Sequence, residues 1–569
     1  MNNELLEISG LSVCNKSSGE EILKNLSFSI EKEKITGIVG ESGSGKSVTA
    51  LSIMGLLPPS LQITDGRIEL HHKNGPLDIC KLLPAKMQQI RGKDLAMIFQ
   101  EPMTSLNPSM KCGVQASETL MFHYHKSADE ARLKILELFH HTGLPEPERI
   151  FSSYPHQLSG GQRQRVMIAM ALSAGPSLLI ADEPTTALDV SVQKSIIKLL
   201  RNLQRELSLT VLFITHDLRL LGEIADRIVV MRSGEVVEVN SRSNIFIRPQ
   251  ATYTKGLLEC QPPLDHKPGR LLTIQDFEGS SGKAPRLSED KPISRQGKKV
   301  KEEILRIREL SITYKQGSGI LAPRKRNFTV LHKLNLELLK GETLGLVGES
   351  GCGKTTLGKA ILLLIEKKSG EIMYRGRNIA EMAPKERKVF RKNIQVVFQD
   401  PYASLNPRMK IGSVLAEARH THFPEETHSL RWDKINSLMG QAGLSAASLD
   451  KYPHEFSGGQ RQRIGILRAL VTEPEIIVLD EAVSALDVSV QAQILNLLND
   501  LKNEFELSYL FISHDLAVVN YMSDRILVMK EGKIEEEGRP YELFQKPASE
   551  YTRNLIEAIP SYQNSSGSS

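Results

Sequence analysis

The sequence predicts an α/β fold that is present twice along one chain. Three observations predict it. Short apolar runs alternate with longer amphipathic stretches, a glycine-rich motif follows one apolar run, and the whole pattern recurs in the same order further along. We therefore expect each copy to have a mainly parallel sheet core and a helical subdomain, with the functional loops at the carboxyl ends of the strands.

The internal repeat sets the domain boundaries that we predict. "GESGSGKS" recurs as "GESGCGKT", "FQEPMTSLNP" as "FQDPYASLNP", and "LLIADEPTTALDVSVQ" as "IIVLDEAVSALDVSVQ". The two domains should occupy residues 1–262 and 304–569. The segment 263–303 between them is rich in Pro, Gly, Ser and Lys, and we predict that its later part is a flexible linker.

The composition of the 569 residues is that of a globular protein, with 40% hydrophobic and 24% charged residues, which excludes disordered and fibrous classes. The net charge of +5 permits contact with lipid or nucleic acid and argues for neither. Five scattered cysteines form no CxxC pair, which favours a reducing compartment and predicts no zinc site. We find no secretory signal and no apolar run of about 18 residues, so we expect the chain to span no membrane.

The motif "GIVGESGSGKS" matches the pattern of a loop that wraps a nucleotide triphosphate, because a strand precedes it and a helix follows it. Lys46 should reach the β- and γ-phosphates and Ser47 should bind Mg²⁺, and Lys354 and Thr355 repeat these roles. The nucleotide-binding residues predicted from this motif are Gly40, Glu41, Ser42, Gly43, Ser44, Gly45, Lys46 and Ser47, with Gly348, Glu349, Ser350, Gly351, Cys352, Gly353, Lys354 and Thr355.

Acidic pairs end two further apolar runs. Asp182 and Asp480 are placed to hold Mg²⁺, and the adjacent Glu183 and Glu481 to polarise the attacking water as general bases. The competing interpretation is that these residues only cap a helix. His216 and His514 also end apolar runs, and we predict that they contact the γ-phosphate rather than serve as core or capping residues.

These motifs, in this order and twice, resemble the ATP-binding cassette (ABC) ATPases. The resemblance implies that two cassettes pack head to tail, so that the phosphate loop of one faces the "SGGQ" signature of the other across ATP. It also implies that Gln100 and Gln399 are the Q-loop residues, which touch Mg²⁺ or water and couple to membrane subunits. The signature residues are Ser159, Gly160, Gly161 and Gln162 in the first copy and Ser457, Gly458, Gly459 and Gln460 in the second.

The resemblance implies that Ser457 contacts the ATP bound at Lys46, and that Ser159 contacts the ATP bound at Lys354. We therefore expect two sites that can hydrolyse ATP. The family also stacks adenine on an aromatic residue upstream of the phosphate loop. The second copy offers Tyr314 for this role, but the first has Cys14 and Asn15 at the matching place, so adenine should bind more weakly there.

The Q-loop segments and the segments that follow each domain resemble those of peptide and nickel importers, most closely the fused ATPases that serve oligopeptide and microcin C uptake. The implied partners are two membrane permeases and an extracytoplasmic binding protein, at the cytoplasmic face of a bacterial inner membrane, with no nucleic acid. Some relatives hold an iron–sulfur cluster in this extension, but only Cys260 lies there, so we predict no cluster.

Rival interpretations remain at this stage. A tandem ATPase of the translation-factor type would carry a long basic helical arm, whereas this linker contains Pro, Gly and acidic residues. A repair ATPase of the excision type would carry zinc-binding CxxC insertions. A purely regulatory module would not retain both catalytic sets. Nickel or glutathione remain alternative cargoes to peptides.

Overall fold

The structure, a computed structural model, describes residues 3–72, 75–100, 105–186, 188–278, 302–316, 326–484 and 486–560. It divides into two compact units. The first contains the described residues up to Glu259 together with Ile274–Glu278, and the second contains Cys260–Thr273 together with residues 302–559.

A six-stranded, mostly parallel sheet forms the centre of each unit, which confirms the predicted fold class. In the first unit the order is β10-β9-β3-β8-β7-β6, and in the second it is β16-β17-β18-β13-β19-β20. Only the pairs β9–β10 and β19–β20 are antiparallel. The strands are β3 (Ile35–Val39), β6 (Leu95–Ile98), β7 (Leu178–Asp182), β8 (Thr210–Thr215), β9 (Arg227–Arg232) and β10 (Glu235–Ser241), then β13 (Thr343–Val347), β16 (Ile394–Val397), β17 (Ile476–Asp480), β18 (Ser508–Ile512), β19 (Arg525–Lys530) and β20 (Lys533–Gly538).

A second, antiparallel sheet of four strands covers one side of each core. Its alternating side chains pack on the parallel sheet, as Leu6 and Leu11 do in a cluster with Ile38 and Leu178. The strand orders are β2-β1-β4-β5 and β12-β11-β14-β15. The strands are β1 (Glu4–Asn15), β2 (Glu21–Glu31), β4 (Leu61–His72) and β5 (Gly75–Asp78), then β11 (Glu303–Gln316), β12 (Arg326–Leu339), β14 (Ser369–Tyr374) and β15 (Arg377–Asn378).

Helices flank the sheets, and the predicted helical subdomain is formed by a run of helices between β6 and β7, and again between β16 and β17. The helices of the first unit are α1 (Lys46–Ile53), α2 (Pro84–Ile90), α3 (Cys112–Tyr124), α4 (Ala128–His141), α5 (Pro147–Ser152), α6 (Gly160–Leu172), α7 (Val190–Glu206), α8 (Leu218–Ile224), α9 (Arg242–Ile247), α10 (Thr252–Glu259) and α11 (Ile274–Glu278). Those of the second are α12 (Lys354–Ile361), α13 (Pro384–Asn393), α14 (Pro401–Ser404), α15 (Ile411–His422), α16 (His428–Gln441), α17 (Gly458–Leu470), α18 (Val488–Glu504), α19 (Leu516–Met522), α20 (Pro540–Gln545) and α21 (Glu550–Glu557).

Short 3-10 turns lie at Ile79–Lys81, Pro155–Gln157, Ala446–Asp450 and Pro453–Glu455. Across the described ranges, no helix combines the length and the apolar character that crossing a bilayer requires.

Residues 264–272, here called the strap, lie against helices of the second unit. Asn496, on α18, bonds both backbone polar groups of one strap residue: its Oδ1 accepts from the Leu271 N–H at 3.0 Å, and its Nδ2 donates to the Leu271 carbonyl at 2.9 Å. Leu271 and Leu272 are buried. The first part of the predicted linker is therefore packed, while the part predicted to be flexible lies mostly outside the described residues.

Two further strap contacts involve α19. Asn520 donates from Nδ2 to the Leu264 carbonyl at 3.3 Å, and the Lys267 ammonium donates to the Ser523 carbonyl at 3.0 Å. Ser523 is the C-cap of α19, so Lys267 places a positive charge at the negative end of that helix dipole.

The strap site is particular to the second unit. Where the second copy has Asn496 and Asn520, the first has Lys198 and Gly222, which cannot form the same amide contacts. We predict that Asn496→Lys releases the strap, because it removes both hydrogen bonds to Leu271 and brings a charge to a buried position. Hydrogen exchange of the full chain, followed by mass spectrometry, should show the Leu271 amide exchanging about tenfold or more faster.

The matched control for the strap is Lys198→Asn, which makes the reverse change at the corresponding exposed position of the first copy and should leave strap exchange unchanged. A strap that already exchanges at the rate of an unstructured peptide in the parent chain would contradict the prediction.

Candidate nucleotide site

The phosphate loop of the first unit runs from β3 into α1 and keeps an open, inward-turned backbone. Gly43 and Gly45 have positive φ angles of 82° and 97°, and a Cβ on Gly40 would lie 2.2 Å from the Met231 carbonyl oxygen. The buried Lys46 ammonium donates to the carbonyls of Gly40, at 2.7 Å, and Glu41, at 2.8 Å. The loop thus holds its cation among its own carbonyls, at the N-terminus of α1.

The loop of the second unit repeats this geometry between β13 and α12. Gly351 and Gly353 have φ angles of 82° and 110°. The Lys354 ammonium donates to the carbonyls of Gly348, at 2.6 Å, and Glu349, at 2.9 Å. The remaining residues predicted from the motif, Ser42, Ser44, Ser350 and Cys352, lie within the same two loops.

A hydroxyl oxygen and a carboxylate oxygen lie close together beside each phosphate loop. Ser47 donates from Oγ to Asp182 Oδ1 at 3.2 Å, and Thr355 donates from Oγ1 to Asp480 Oδ1 at 3.2 Å. A hydroxyl oxygen beside a carboxylate offers the oxygen ligands that Mg²⁺ prefers. The residues present therefore fit the predicted metal.

In the first unit, Glu183 is the centre of a hydrogen-bonded cluster. Its Oε2 accepts from Gln100 Nε2 at 3.0 Å and from Thr186 Oγ1 at 2.9 Å, and lies 3.3 Å from His216 Nδ1. Glu183 has a φ of 47°, an unfavourable conformation for a residue with a Cβ.

In the second unit, Glu481 repeats this arrangement with one difference. Its Oε2 accepts from Gln399 Nε2 at 2.9 Å and lies 3.4 Å from His514 Nδ1, and its φ is 48°. Ser484, at the position of Thr186, donates instead to the Glu481 backbone carbonyl, at 2.9 Å. The carboxylate of the first copy thus has a hydroxyl donor that this serine does not provide to Glu481.

The protonation states follow from these contacts. Burial works to raise the pKa of Glu183, but the hydrogen bond and charge of His216, with the Thr186 donor, lower it to about 2. Burial works to lower the pKa of His216, but the hydrogen bond and charge of Glu183 outweigh it and raise that pKa. The directions are the same for Glu481 and His514. In each pair the contact therefore favours the charged forms of both groups, the carboxylate and the imidazolium.

Burial raises the pKa of Asp182 to about 6, against the opposing hydrogen bond from Ser47, and the charge of Glu183 raises it further. The pKa of Asp480 is raised for the same reasons. An aspartate that is costly to ionise when its site holds no cation is well suited to bind a cation, because the cation removes that cost.

The signature residues begin α6 and α17 and are bonded within their own helices. Ser159 Oγ accepts from the Gln162 N–H at 3.3 Å, and Gln162 Oε1 accepts from the Ser159 N–H at 3.0 Å. Ser457 and Gln460 form the same capping box. Among the described residues of the first unit, no hydrogen bond joins Ser159 or Gln162 to the cluster around Glu183.

The signature glycines have a packing requirement inside each unit. A Cβ on Gly161 would lie 2.8 Å from Val192 Cγ1, and one on Gly459 would lie 2.4 Å from Val490 Cγ1. Gly160 and Gly458 have only ordinary contacts, which leaves their faces of the helix N-terminus accessible.

The two copies differ where adenine stacking is predicted. Tyr314 on β11 is 42% exposed and pairs across the strands with Phe328, which is 63% exposed. At the matching place on β1 stands Asn15, which is half-buried and whose side-chain oxygen accepts from the Ser17 N–H at 3.0 Å. The buried Cys14 before it pairs with Glu21, as Thr313 pairs with Thr329 in the second copy. The sequence prediction did not include Phe328, because only the strand register brings it beside Tyr314.

We predict that Asp182→Asn stabilises the chain when neither Mg²⁺ nor nucleotide is present. Since the folded-state pKa is raised, the stability contributed by protonating Asp182 is complete below the unfolded pKa and is lost as the pH rises through about 6. At pH 7.5 the ionised carboxylate should cost on the order of 3 kcal/mol, which asparagine avoids. Thermal unfolding followed by circular dichroism should show a higher Tm at pH 7.5 and a shrinking gain toward pH 4.

Asp433→Asn is the control for this prediction, because Asp433 is exposed on α16 and should give no pH-dependent gain. A lower Tm for Asp182→Asn at pH 7.5, or a gain that does not depend on pH, would contradict the burial argument.

Comparisons with known proteins bear on both halves of the chain. The family model described as ABC transporter matches residues 23–186 and 331–484. The model described as oligopeptide/dipeptide transporter, C-terminal region, matches residues 237–286 and 536–568.

Curated relatives match nearly the whole chain. The glutathione import ATP-binding protein GsiA of Escherichia coli (strain K12) is 45% identical over 546 residues, which cover 95% of this chain and 86% of the relative. GsiA of Escherichia coli O6:H1 is 44% identical over 567 residues, 98% of this chain and 90% of the relative. Among solved structures, the dimeric MJ0796, a bacterial ABC transporter cassette, is 30% identical, with a TM-score of 0.38 over 42% of this chain and 98% of that one.

The family models and the curated relatives confirm the resemblance that the sequence motifs indicated, and the ATPase activity that the resemblance implied. The chain belongs to the ABC transporter family, as an ATPase that drives transport.

Proposed function

We propose that this chain energises the uptake of short peptides through two separate membrane permeases fed by an extracytoplasmic binding protein. It works as a peripheral protein at the cytoplasmic face of a bacterial inner membrane. The observation that carries the proposal is the match of both cassette extensions, residues 237–286 and 536–568, to the C-terminal region of oligopeptide and dipeptide transporters. The relatives named for glutathione import support it, since glutathione is itself a tripeptide.

Glutathione is therefore the second candidate cargo, and it belongs to the same chemical class. Nickel is a third, which rests only on the resemblance of the Q-loop segments. A role outside transport has less support, because the relatives that match over 95% and 98% of the chain are import proteins by name.

In the proposed mechanism each phosphate loop binds one ATP. Lys46 and Lys354 leave their loop carbonyls for the β- and γ-phosphates, because a phosphate oxygen is a stronger acceptor for an ammonium than a neutral carbonyl. Ser47 with Asp182, and Thr355 with Asp480, hold Mg²⁺, which supplies charge neutralisation for the phosphates.

Glu183 and Glu481 are the proposed general bases. A carboxylate with a pKa near 2 is a weak base, and the Glu183–His216 ion pair keeps it so. We propose that His216 and His514 turn to the γ-phosphate when ATP is bound. Each glutamate then loses its strongest counter-charge, its pKa rises, and it can take a proton from the attacking water. The base is thus activated by the substrate.

Gln100 and Gln399 would link the activation of the general bases to the permeases. Each amide donates to the general base, and each lies at the end of a core strand, before a loop that the family resemblance assigns to permease contact. A permease movement that withdraws the amide would remove one donor from the base and alter its pKa.

We further propose that each site is completed by the signature of the other copy. Ser457, Gly458, Gly459 and Gln460 would serve the ATP of Lys46, and the signature from Ser159 to Gln162 would serve that of Lys354. The support is chemical: these helix N-termini carry an anion-binding dipole and accessible glycine faces.

The proposed cofactors are ATP and Mg²⁺ alone. Within the described part of the chain, no disulfide joins Cys14, Cys80, Cys112, Cys260 or Cys352. The absence of an iron–sulfur cluster and of zinc remains a prediction.

We predict that the chain with both Glu183→Gln and Glu481→Gln binds ATP but hydrolyses it at least about 100-fold more slowly, because the amide cannot accept the proton from water. Phosphate release measures turnover, and a fluorescent ATP analogue measures binding. Cells that depend on this chain should also stop accumulating a radiolabelled tripeptide when it carries both changes.

Substantial residual hydrolysis would contradict the assignment of the bases.

The cargo is tested separately, in cells that carry the parent chain, by adding unlabelled glutathione or Ni²⁺ as a competitor of the radiolabelled tripeptide. Strong competition by one of them alone would identify it as the cargo, and failure of the parent chain to support any uptake would overturn the transport proposal.

The shared-site proposal predicts how many ATP molecules one chain can trap. The measurement uses the slowly hydrolysing chain with Glu183→Gln and Glu481→Gln. In that chain, Lys46→Ala combined with Ser457→Arg disables one site and should leave one trapped ATP per chain. Lys46→Ala combined with Ser159→Arg disables both sites and should leave none. Stoichiometry is read from radiolabelled ATP retained on gel filtration, and equal values for the two pairs would contradict the pairing.

A further inference from the structure

A tyrosine from the C-terminal extension of each cassette lies against the phosphate loop. The Glu41 N–H donates to the Tyr253 hydroxyl oxygen at 3.3 Å, and the Glu349 N–H donates to the Tyr551 hydroxyl oxygen at 3.2 Å. The contact recurs in both units with the same donor and acceptor. Neither tyrosine belongs to a motif of the nucleotide site, and more than 200 residues separate each from the glutamate that it contacts.

The amide that each tyrosine bonds lies at a critical place in the loop. Glu41 is the second residue of "GESGSGKS", and its carbonyl accepts from the Lys46 ammonium at 2.8 Å. In the second unit the Glu349 carbonyl accepts from Lys354 at 2.9 Å. The first turn of each loop is therefore held from two sides, by the tyrosine on the N–H and by the lysine on the carbonyl.

The tyrosine is itself anchored firmly. Just before α10, the Gln250 and Ala251 amides both donate to the buried Glu238 carboxylate of β10, at 3.0 Å each. Arg232 lies over the Tyr253 ring, 4.9 Å from its centre, and also pairs with Glu278 of α11.

The second unit repeats the anchor with different residues. The Ala548 and Ser549 amides, which precede α21, donate to Glu536 of β20 at 2.7 and 3.0 Å. Lys530 lies 4.9 Å from the centre of the Tyr551 ring. The same series of contacts thus occurs in both units. It joins a carboxylate on the last strand to the start of the extension helix, and the phenol of that helix to the phosphate loop, with a cation over the phenol ring.

We propose that Tyr253 and Tyr551 are positioning residues for nucleotide binding, through which the C-terminal extension holds the phosphate loop in its binding shape. This inference rests on the proposed nucleotide site. When Lys46 leaves the loop carbonyls for the phosphates, the loop loses the hydrogen bonds of the lysine, while the bond from the Ser44 N–H to the Glu41 carbonyl and the bond from the Glu41 N–H to Tyr253 remain. Without that bond, ATP binding must also order the loop.

The test uses the full chain with Tyr253→Phe and Tyr551→Phe, which remove the acceptor oxygens and keep the rings beneath their cations. The loss of one hydrogen bond at each site should raise the Kd for a fluorescent ATP analogue about threefold to tenfold. In chains that can turn over, the KM for ATP should rise by a similar factor while kcat changes less than about twofold. Thermal unfolding should be little affected.

The matched control is Tyr124→Phe, which loses a phenol hydrogen bond to a backbone carbonyl, that of Ala174 at 2.8 Å, away from the loop. It should leave Kd and KM unchanged. Unchanged affinity in the double tyrosine variant would overturn the inference, as would a fall in Tm beyond that of the control together with a loss of kcat.

A chain with both Lys46→Ala and Lys354→Ala distinguishes a failure of this inference from a failure of the proposed nucleotide site. If the lysine variants lose ATP binding and the tyrosine variants do not, only the role of the tyrosines is overturned. If the lysine variants keep full affinity, the proposed nucleotide site fails, and the inference fails with it.

Discussion

The parallel order of the central strands is the constraint on which the rest of each unit depends. Parallel strands all deliver their carboxyl ends to one edge of the sheet, so residues far apart in sequence meet there. Gln100 follows β6, Glu183 follows β7 and His216 follows β8, and the three side chains come together at the Glu183 carboxylate. The loop that ends in Ser47 follows β3 and reaches Asp182 from the other side.

This convergence creates an electrostatic balance in each unit. Two adjacent carboxylates, Asp182 and Glu183, are largely buried, and burial alone would raise the pKa of both. His216 supplies the charge that lowers the pKa of Glu183, whereas the pKa of Asp182 stays raised. The two neighbouring carboxylates are therefore held in opposite states, with the pKa of Glu183 lowered and that of Asp182 raised. In the proposed function, binding of ATP with Mg²⁺ would act on both groups.

Because the domain is duplicated, equivalent contacts can be compared between the two copies within one chain. Thr186 donates to the carboxylate of its glutamate, whereas Ser484 donates to a backbone carbonyl. The exposed Tyr314 pairs with Phe328 across β11 and β12, whereas the first copy has the polar Asn15 at the position of Tyr314. Contacts that recur despite such divergence, such as that of Tyr253 with the phosphate loop, are set by the fold, while those that differ give each copy its own properties.

The sequence by itself determined the α/β class, the twofold repeat and most groups of each site, because these depend on short motifs in which neighbouring residues act together. Lys46 with Ser47, and Asp182 with Glu183, are readable from letters alone. Tertiary structure decided what depends on residues distant along the chain. The antiparallel sheet, Phe328 beside Tyr314, the Leu271 peptide on Asn496 and the phenol of Tyr253 on the Glu41 amide each depend on strand register or long-range packing, which leave no local pattern in the sequence.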